Sequence, residues 1–330
     1  MLGSKIVGTG SYLPPRVVSN EEVGLGLGVD PESVYRLTGI RVRHWAGEEQ
    51  ATSHLAEEAA RRACEAAGLS PESVDTIVLS TTSPDMAFPS TACHVQRSLG
   101  ARGGAAFDIA ASCSGFLYGL SMADRLIRSG QSRRCLVVAA EIKSRFLNRQ
   151  DASTAILFGD GAGAAVLVGE EVEAERPRGI VGVRLYADGA RHGLITVPAG
   201  GSRLPTSSRT VQDRLHTIRL QGGPLFRVAV KRVAEAVTDL LKEFGLGVGD
   251  LRQAIFHQAN GRLLAAIGRR LGLPPERLYS VIEQAGNTSS ASLPIALDLA
   301  YREGRIGAGD LVLLGTFGGG LTWATALLRG

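Results

Sequence analysis

Ala106-Phe-Asp-Ile-Ala-Ala-Ser-Cys-Ser-Gly-Phe116 reads as a strand, a sharp turn and the start of a helix. Residues 106–111 form a short apolar run, Ser112 to Gly115 break it, and Phe116 to Gly130 carry helical periodicity. The turn sets Cys113 at a helix start, where unpaired backbone N–H groups and the positive end of the macrodipole favour an anion. The thiol pKa is therefore expected to fall, which makes Cys113 a candidate covalent nucleophile. The same position equally suits a small buried hydrophobe.

Outward from this segment, strand-like and helix-like stretches alternate along the chain, the pattern of an α/β protein. The second half repeats the first. Ala56 to Gly68 followed by Asp75 to Ser80 has the layout of Val233 to Gly245 followed by Arg252 to His257. Gly119 to Gly130 with Cys135 to Ala140 corresponds to Pro294 to Gly304 with Leu311 to Gly315. Gly161-Ala-Gly-Ala-Ala-Val166 answers Gly318-Gly-Gly-Leu-Thr-Trp323, each a glycine turn feeding a strand. Four elements repeated in one order imply an internal duplication. Two halves, residues 1–172 and 173–330, are expected. Laying Gly130 on Gly304 gives an offset of 174, which puts Asn287 where Cys113 sits. Gly286-Asn-Thr-Ser-Ser290 also reads as a plain N-cap. If the halves pack about a pseudo-twofold axis, both helix starts face one central site.

A third polar group closes the strand-like run Arg252 to Phe256. His257-Gln-Ala-Asn260 follows it, and a histidine at the C-terminal end of such a strand is placed where α/β sheets bind ligands. A lone histidine is as readily structural. His44, His54, His94, His192 and His216 have no comparable setting. Gly159-Asp-Gly-Ala-Gly163 precedes a strand and lacks a following Lys-Ser/Thr, which argues against a phosphate loop. Gly318-Gly-Gly320 allows close backbone approach, suiting either an oxyanion site or a tight turn.

Composition bounds the class. The 330 residues are 44% apolar and 21% charged, as in ordinary soluble globular proteins. The formal net charge is +4, with 5% aromatics and no long basic tract, so nucleic-acid binding is disfavoured while docking of an acidic protein stays open. Cys64, Cys93, Cys113 and Cys135 form no C-x-x-C pair, which suits reduced thiols in the cytoplasm. No secretory signature marks the N-terminus, and the longest apolar run, Ala155 to Gly169, is interrupted by Asp160 and glycines, so no membrane association is expected.

Five ordered motifs carry a resemblance. They are Asp108-x4-Cys113-Ser-Gly-Phe116, Phe158-Gly-Asp-Gly-Ala-Gly-Ala-Ala-Val166, His257-Gln-Ala-Asn260, Gly286-Asn-Thr-Ser289 and Phe317-Gly-Gly-Gly-Leu-Thr-Trp323. Together with Thr38-Gly-Ile-Arg41 and Ala87-Phe-Pro-Ser90, they closely resemble β-ketoacyl-acyl carrier protein synthase III, from Ile6 to Leu328. The resemblance implies a thiolase fold, a duplicated five-layered αβαβα arrangement with two mixed sheets, in a homodimer. It implies an acyltransferase of fatty acid biosynthesis whose substrates are phosphopantetheine thioesters, with acyl carrier protein as partner and no permanently bound cofactor or metal. By the same resemblance Cys113 takes the acyl group, and His257 with Asn287 binds the malonyl thioester carbonyl as CO2 leaves. The backbone N–H groups of Cys113 and Gly319 form the oxyanion hole. Phe88, Leu157, Phe158 and Phe226 match acyl-pocket positions, Phe88 by reaching into the partner. Arg227, Arg262, Arg269 and Arg270 match positions where carrier protein or pantetheine docks.

Ser33, Leu37 and Ala152 depart from the family pattern, which has Trp, Arg and Arg there to clamp adenine. The expectation is that coenzyme A binds differently or that the acyl donor is a carrier protein. Other thiolase-fold activities fit less well: the glycine loop from Phe317 to Trp323 lacks a second cysteine, and the site pairs one histidine with an asparagine. The enzymatic rival is a specialised homologue that passes its acyl group to a hydroxyl or amine, or condenses an unusual starter. A non-catalytic docking subunit is disfavoured because Cys113, His257 and Asn287 are all present.

Overall fold

The computed structural model describes residues 2–171 and 179–330. Ten strands build two five-stranded sheets. β1 (Leu2–Tyr12), β2 (Thr76–Ser80), β3 (Ala105–Ile109), β4 (Arg134–Glu141) and β5 (Gly161–Glu171) pair in the order β1-β5-β4-β2-β3. β6 (Gly179–Ala187), β7 (Gln253–Phe256), β8 (Leu278–Tyr279), β9 (Leu311–Gly318) and β10 (Thr322–Arg329) pair in the order β6-β10-β9-β7-β8. The orders are identical once each strand is matched to the one five later. Direction agrees as well. β2 runs parallel to β3 and β4, β7 runs parallel to β8 and β9, and β5 and β10 are antiparallel to both their neighbours. The duplication inferred from glycine spacing is thus a duplicated topology, and both sheets are mixed.

Six longer helices follow the same rule. They are α1 (Thr52–Ala66), α2 (Thr91–Leu99), α3 (Gly115–Arg128), α4 (Gly222–Glu243), α5 (Gly261–Leu271) and α6 (Ser292–Arg302). α1 and α2 cover the outer face of the first sheet, where Leu55, Ala59, Ala63 and Val95 pack against Ile77, Leu79 and Leu136. α4 and α5 cover the outer face of the second, with Val237, Leu240 and Leu264 against Phe256 and Leu313. α3 and α6 lie between the sheets. Phe116, Leu120, Leu293 and Leu297 share one core with Val78 and Val137 of the first sheet and Val312 and Leu314 of the second. The layers therefore read αβαβα. Residues around the expected boundary at 172, namely 172–178, lie outside the described residues.

Caps explain where several helices begin. Asp108, at the end of β3, accepts hydrogen bonds from Thr91 N at 2.6 Å and Ala92 N at 2.8 Å, satisfying the free donors of α2 from a neighbouring strand. Asn260 caps α5 through Arg262 N at 2.9 Å, and left-handed Gly272 ends that helix. The central layer is packed too closely for a side chain at Gly163 on β5. A Cβ there would lie 2.7 Å from Ile295 N and 2.8 Å from Pro294 C of α6. Gly163→Ala is expected to cost about 1–3 kcal/mol through overpacking, read as a lower denaturant midpoint; an unchanged midpoint would contradict this layer spacing.

Candidate active site

The two central helices meet at their N-termini. A 3-10 turn, Ser112–Ser114, precedes α3, and its counterpart, Ser289–Ala291, precedes α6. Each begins with a serine held at positive φ, +47° at Ser112 and +54° at Ser289. These matched turns correct the alignment drawn from Gly130 and Gly304. α3 has 14 residues and α6 has 11, so the offset is 174 at the C-terminal ends but 177 at the starts. Cys113 corresponds to Ser290, and Asn287 stands three residues upstream of that counterpart. Asn287 still borders the same turn.

Cys113 is buried, with Sγ 3.4 Å from Ser289 Oγ across the pseudo-twofold axis. The expected fall in the thiol pKa is not what its surroundings produce. Complete desolvation pushes it up to about 11; the Ser289 hydrogen bond opposes this, the Glu141 charge adds to it, and the Lys143 charge opposes it again. The group is therefore a thiol at neutral pH. Ser289 Oγ also lies 3.1 Å from Glu141 Oε1, so its single hydrogen serves the carboxylate or the sulfur but not both.

His257 follows β7, and burial lowers its pKa to about 3, which keeps the ring neutral. Nδ1 lies 2.6 Å from Ser292 Oγ, which also accepts the Gln258 N–H at 3.0 Å. With the Ser292 hydrogen assigned to Nδ1, the ring proton sits on Nε2 as a donor. Phe317 stacks edge-on against the ring with centroids 5.5 Å apart. Asn287 is pinned through its backbone, donating to Leu157 O at 2.9 Å and accepting from Gly159 N at 3.0 Å. Its Oδ1 accepts from Ser289 N at 2.9 Å and Nδ2 donates to Ala259 O at 3.4 Å, leaving one amide N–H uncommitted.

Cys113, His257 and Asn287 line one cavity of about 300 Å³, together with Leu157, Phe158 and Phe226. Gly318 and Gly319 close it. A Cβ on Gly318 would lie 2.6 Å from Cys113 N, so only glycine lets the loop pass Cys113. A second cavity of about 220 Å³ reaches Cys113 from another side and shares Phe158, Ile195 and Gly319 with the first. Leu157 and Phe226 thus border the space holding His257 and Asn287, whereas Phe158 borders both. Phe88 is 85% exposed and lines neither cavity of this chain.

The four arginines separate into two groups. Arg227 and Arg262 adjoin the cavity residues Phe226 and Leu263. Arg269 and Arg270 sit in the last turn of α5, about 10 Å further along the helix, and Arg270 borders a cleft with Glu235 and Asp239 instead. All four are exposed, and none has an ion-pair partner among the described residues. Ser33 is engaged in the cap of the helix Pro31–Thr38, donating to Asp30 at 2.8 Å, while Leu37 lines the mouth of the first cavity. Asp151 caps the short helix that begins at Ala152.

Sequence reasoning missed Ser289, Ser292, Glu141 and Lys143. Ser289 stood in a quoted motif without a role, and Ser292 has no local signal because its partner is 35 residues away in sequence. Glu141 ends β4 and Lys143 follows two residues later, and two charges within three residues at the end of an apolar strand were a readable anomaly.

Fold and site together define a thiolase-fold protein with a Cys-His-Asn centre. The sequence profile of 3-oxoacyl-acyl-carrier-protein (ACP) synthase III matches residues 107–189, and that of its C-terminal part matches residues 241–330. The β-ketoacyl-acyl-carrier-protein synthase III of Erythrobacter litoralis is 46% identical over 329 residues, covering 100% of both chains. The crystal structure of 3-oxoacyl-acyl-carrier-protein synthase III from Aquifex aeolicus superposes with a TM-score of 0.90 at 40% identity, covering 99% of this chain and 100% of that one. The priming β-ketosynthase of the R1128 polyketide pathway gives a TM-score of 0.90 at 36% identity over 99% of this chain and 96% of its own. The chain belongs to the β-ketoacyl-acyl-carrier-protein synthase III family.

Ser292→Ala should lower kcat roughly ten- to a hundredfold with KM little changed, because the His257 ring loses its orientation and tautomer, and Ser292→Thr should restore it. A Ser292→Ala enzyme with normal kcat would contradict the assigned proton on Nε2.

Proposed function

We propose that the protein catalyses decarboxylative condensation of an acyl thioester with malonyl-acyl carrier protein, releasing CO2 and a 3-oxoacyl-acyl carrier protein. The observation that carries this reading is the shared cavity: a thiol, a neutral imidazole donor and a carboxamide donor face one buried space. Cys113 sulfur attacks the acyl thioester carbonyl, and the donor thiol departs with a proton. Malonyl thioester then enters from the side of His257 and Asn287. Its bond to the carboxylate breaks, CO2 leaves, and the electron pair passes into an enolate whose oxygen accepts from His257 Nε2–H and the free Asn287 N–H. The enolate carbon attacks the acyl-Cys113 carbonyl, the oxyanion rests on the N–H groups of Cys113 and Gly319, and collapse breaks the carbon–sulfur bond to free Cys113 as a thiolate, which takes up a proton from solvent to restore the thiol.

Neutral donors suit this chemistry. A cationic imidazole would bind the malonyl carboxylate and hold it in the ground state, whereas a neutral N–H strengthens only as charge develops on the thioester oxygen. Burial, which keeps His257 neutral, also excludes water that would protonate the enolate.

The same reading takes residues 1–172 and 173–330 as two cooperating halves in a cytoplasmic homodimer. The exposed Phe88 supports dimerisation, since a large aromatic so exposed suits insertion into a partner. Four free cysteines agree with a reducing compartment, and no helix among the described residues is long and apolar enough to cross a membrane. Exposed Arg227 and Arg262 beside the first cavity suit an acidic carrier protein. Ser33, Leu37 and Ala152 offer no planar or cationic group to adenine, which favours a carrier-bound donor or an altered coenzyme A pose.

CO2 release from malonyl-acyl carrier protein tests the proposal. His257→Ala and Asn287→Ala should each slow it by about a hundredfold or more while Cys113 still accepts an acyl group. Undiminished CO2 release in either variant would overturn the assigned roles.

A further inference from the structure

The second cavity contains a group that plain hydrocarbon would not require. Lys143, only 6% exposed, lines it alongside Cys113, Phe146, Phe158 and Ile218. Its Nζ lies 2.9 Å from Glu141 Oε2 and 2.5 Å from Thr82 Oγ1. An ammonium carries three N–H donors; the Phe146 ring lies 5.6 Å from Nζ, a loose cation–π contact, and the third donor has no hydrogen-bond acceptor among the described residues.

Stability does not explain this lysine. A buried ion pair is commonly no better for stability than apolar side chains of similar volume. Glu141 is already well supplied with donors: Ser83 Oγ at 2.7 Å, Ser290 Oγ at 2.9 Å, and Ser289 Oγ and Thr82 N at 3.1 Å. The ammonium offsets the burial of Glu141, and it does so on the wall of a space that opens onto the nucleophile, where its remaining donor faces whatever enters. The space is small, below the usual range for drug-sized ligands, so its occupant is short.

We propose that Lys143 selects the starter, and that the acyl group loaded onto Cys113 is a short chain bearing a neutral oxygen, a hydroxyl or keto group, that accepts the free N–H of Lys143. This rests on the condensing reading above and adds to it that the first cavity admits the thioester arm and the second holds the acyl chain, which leaves Leu157 and Phe226 beside the arm and Phe158 as the acyl-pocket residue. The pair Glu141 and Lys143 is neutral in sum. A carboxylate at the chain's end would bury an uncompensated charge, whereas a hydroxyl or carbonyl oxygen satisfies the donor at no such cost. An alkyl chain would leave the N–H unpaired and desolvated.

The test is the rate at which Cys113 gains acyl mass from pantetheine thioesters of 3-hydroxybutyrate, 4-hydroxybutyrate, butyrate and succinate. The full-length protein should load one of the hydroxyacyl groups roughly ten- to a hundredfold faster than butyryl, the span expected for a hydrogen bond to a charged donor. Lys143→Met should reverse that preference. Because the single change leaves Glu141 without its counter-charge, Glu141→Gln/Lys143→Met is measured beside it, and whichever variant folds must show the reversal. Butyryl loading as fast as hydroxyacyl in the wild type, an unreversed ratio in the variants, or succinyl loading fastest would each overturn the proposal while leaving acylation of Cys113 intact. Absence of loading from every thioester would overturn the condensing reading as well.

Discussion

A single buried carboxylate holds the two halves of the site in register. Glu141 ends β4 with no solvent exposure and takes hydrogen bonds from Thr82 and Ser83 of the first half and from Ser289 and Ser290 of the second. Burial opposes its charge, but the Lys143 ammonium and the bonds from Ser83 and Thr82 outweigh that and hold its carboxyl below the usual carboxylate range. Ser289 is also the nearest polar neighbour of the Cys113 sulfur. The position of the nucleophile relative to Asn287 and α6 is therefore set through this group, and the positive φ at Ser289 is tolerated because its side chain and N–H are both engaged.

Desolvation then organises the chemistry. The same exclusion of water keeps His257 neutral and Cys113 protonated, which leaves the imidazole able to donate and the sulfur as a thiol. Two cavities converge on the sulfur, one carrying the hydrogen-bond donors and one carrying a lysine, so the two approaches to it differ in chemistry. Such a division suits an enzyme that must hold an acyl intermediate while a second thioester arrives.

Much of this was legible in the residue pattern. The glycine-punctuated repeats foretold the duplicated strand order, because each half must solve the same packing problem with the same turns. Cys113, His257 and Asn287 were legible because each ends a strand or starts a helix, positions that sheet proteins use for ligands. The exact partner of Cys113 was not: α6 is three residues shorter than α3, and a difference in helix length leaves no mark in a comparison anchored on the terminal glycines. The thiol's raised pKa was hidden for another reason. A helix start is a local feature, but its surroundings come from distant segments, Ser289 and Gly318 of the opposite half and Phe158 of its own. Ser292, Glu141 and Lys143 act across long sequence separations, where no spacing rule applies.

Peptide mapping of the intermediate is the most direct measurement. The protein is incubated with a labelled acyl thioester, digested and mapped, with and without a chase of malonyl-acyl carrier protein. The account requires the label on Cys113 alone, and its disappearance from that peptide during the chase as labelled 3-oxoacyl product forms. Label on exposed Cys93, or an adduct on Cys113 that the malonyl chase leaves untouched, would contradict it.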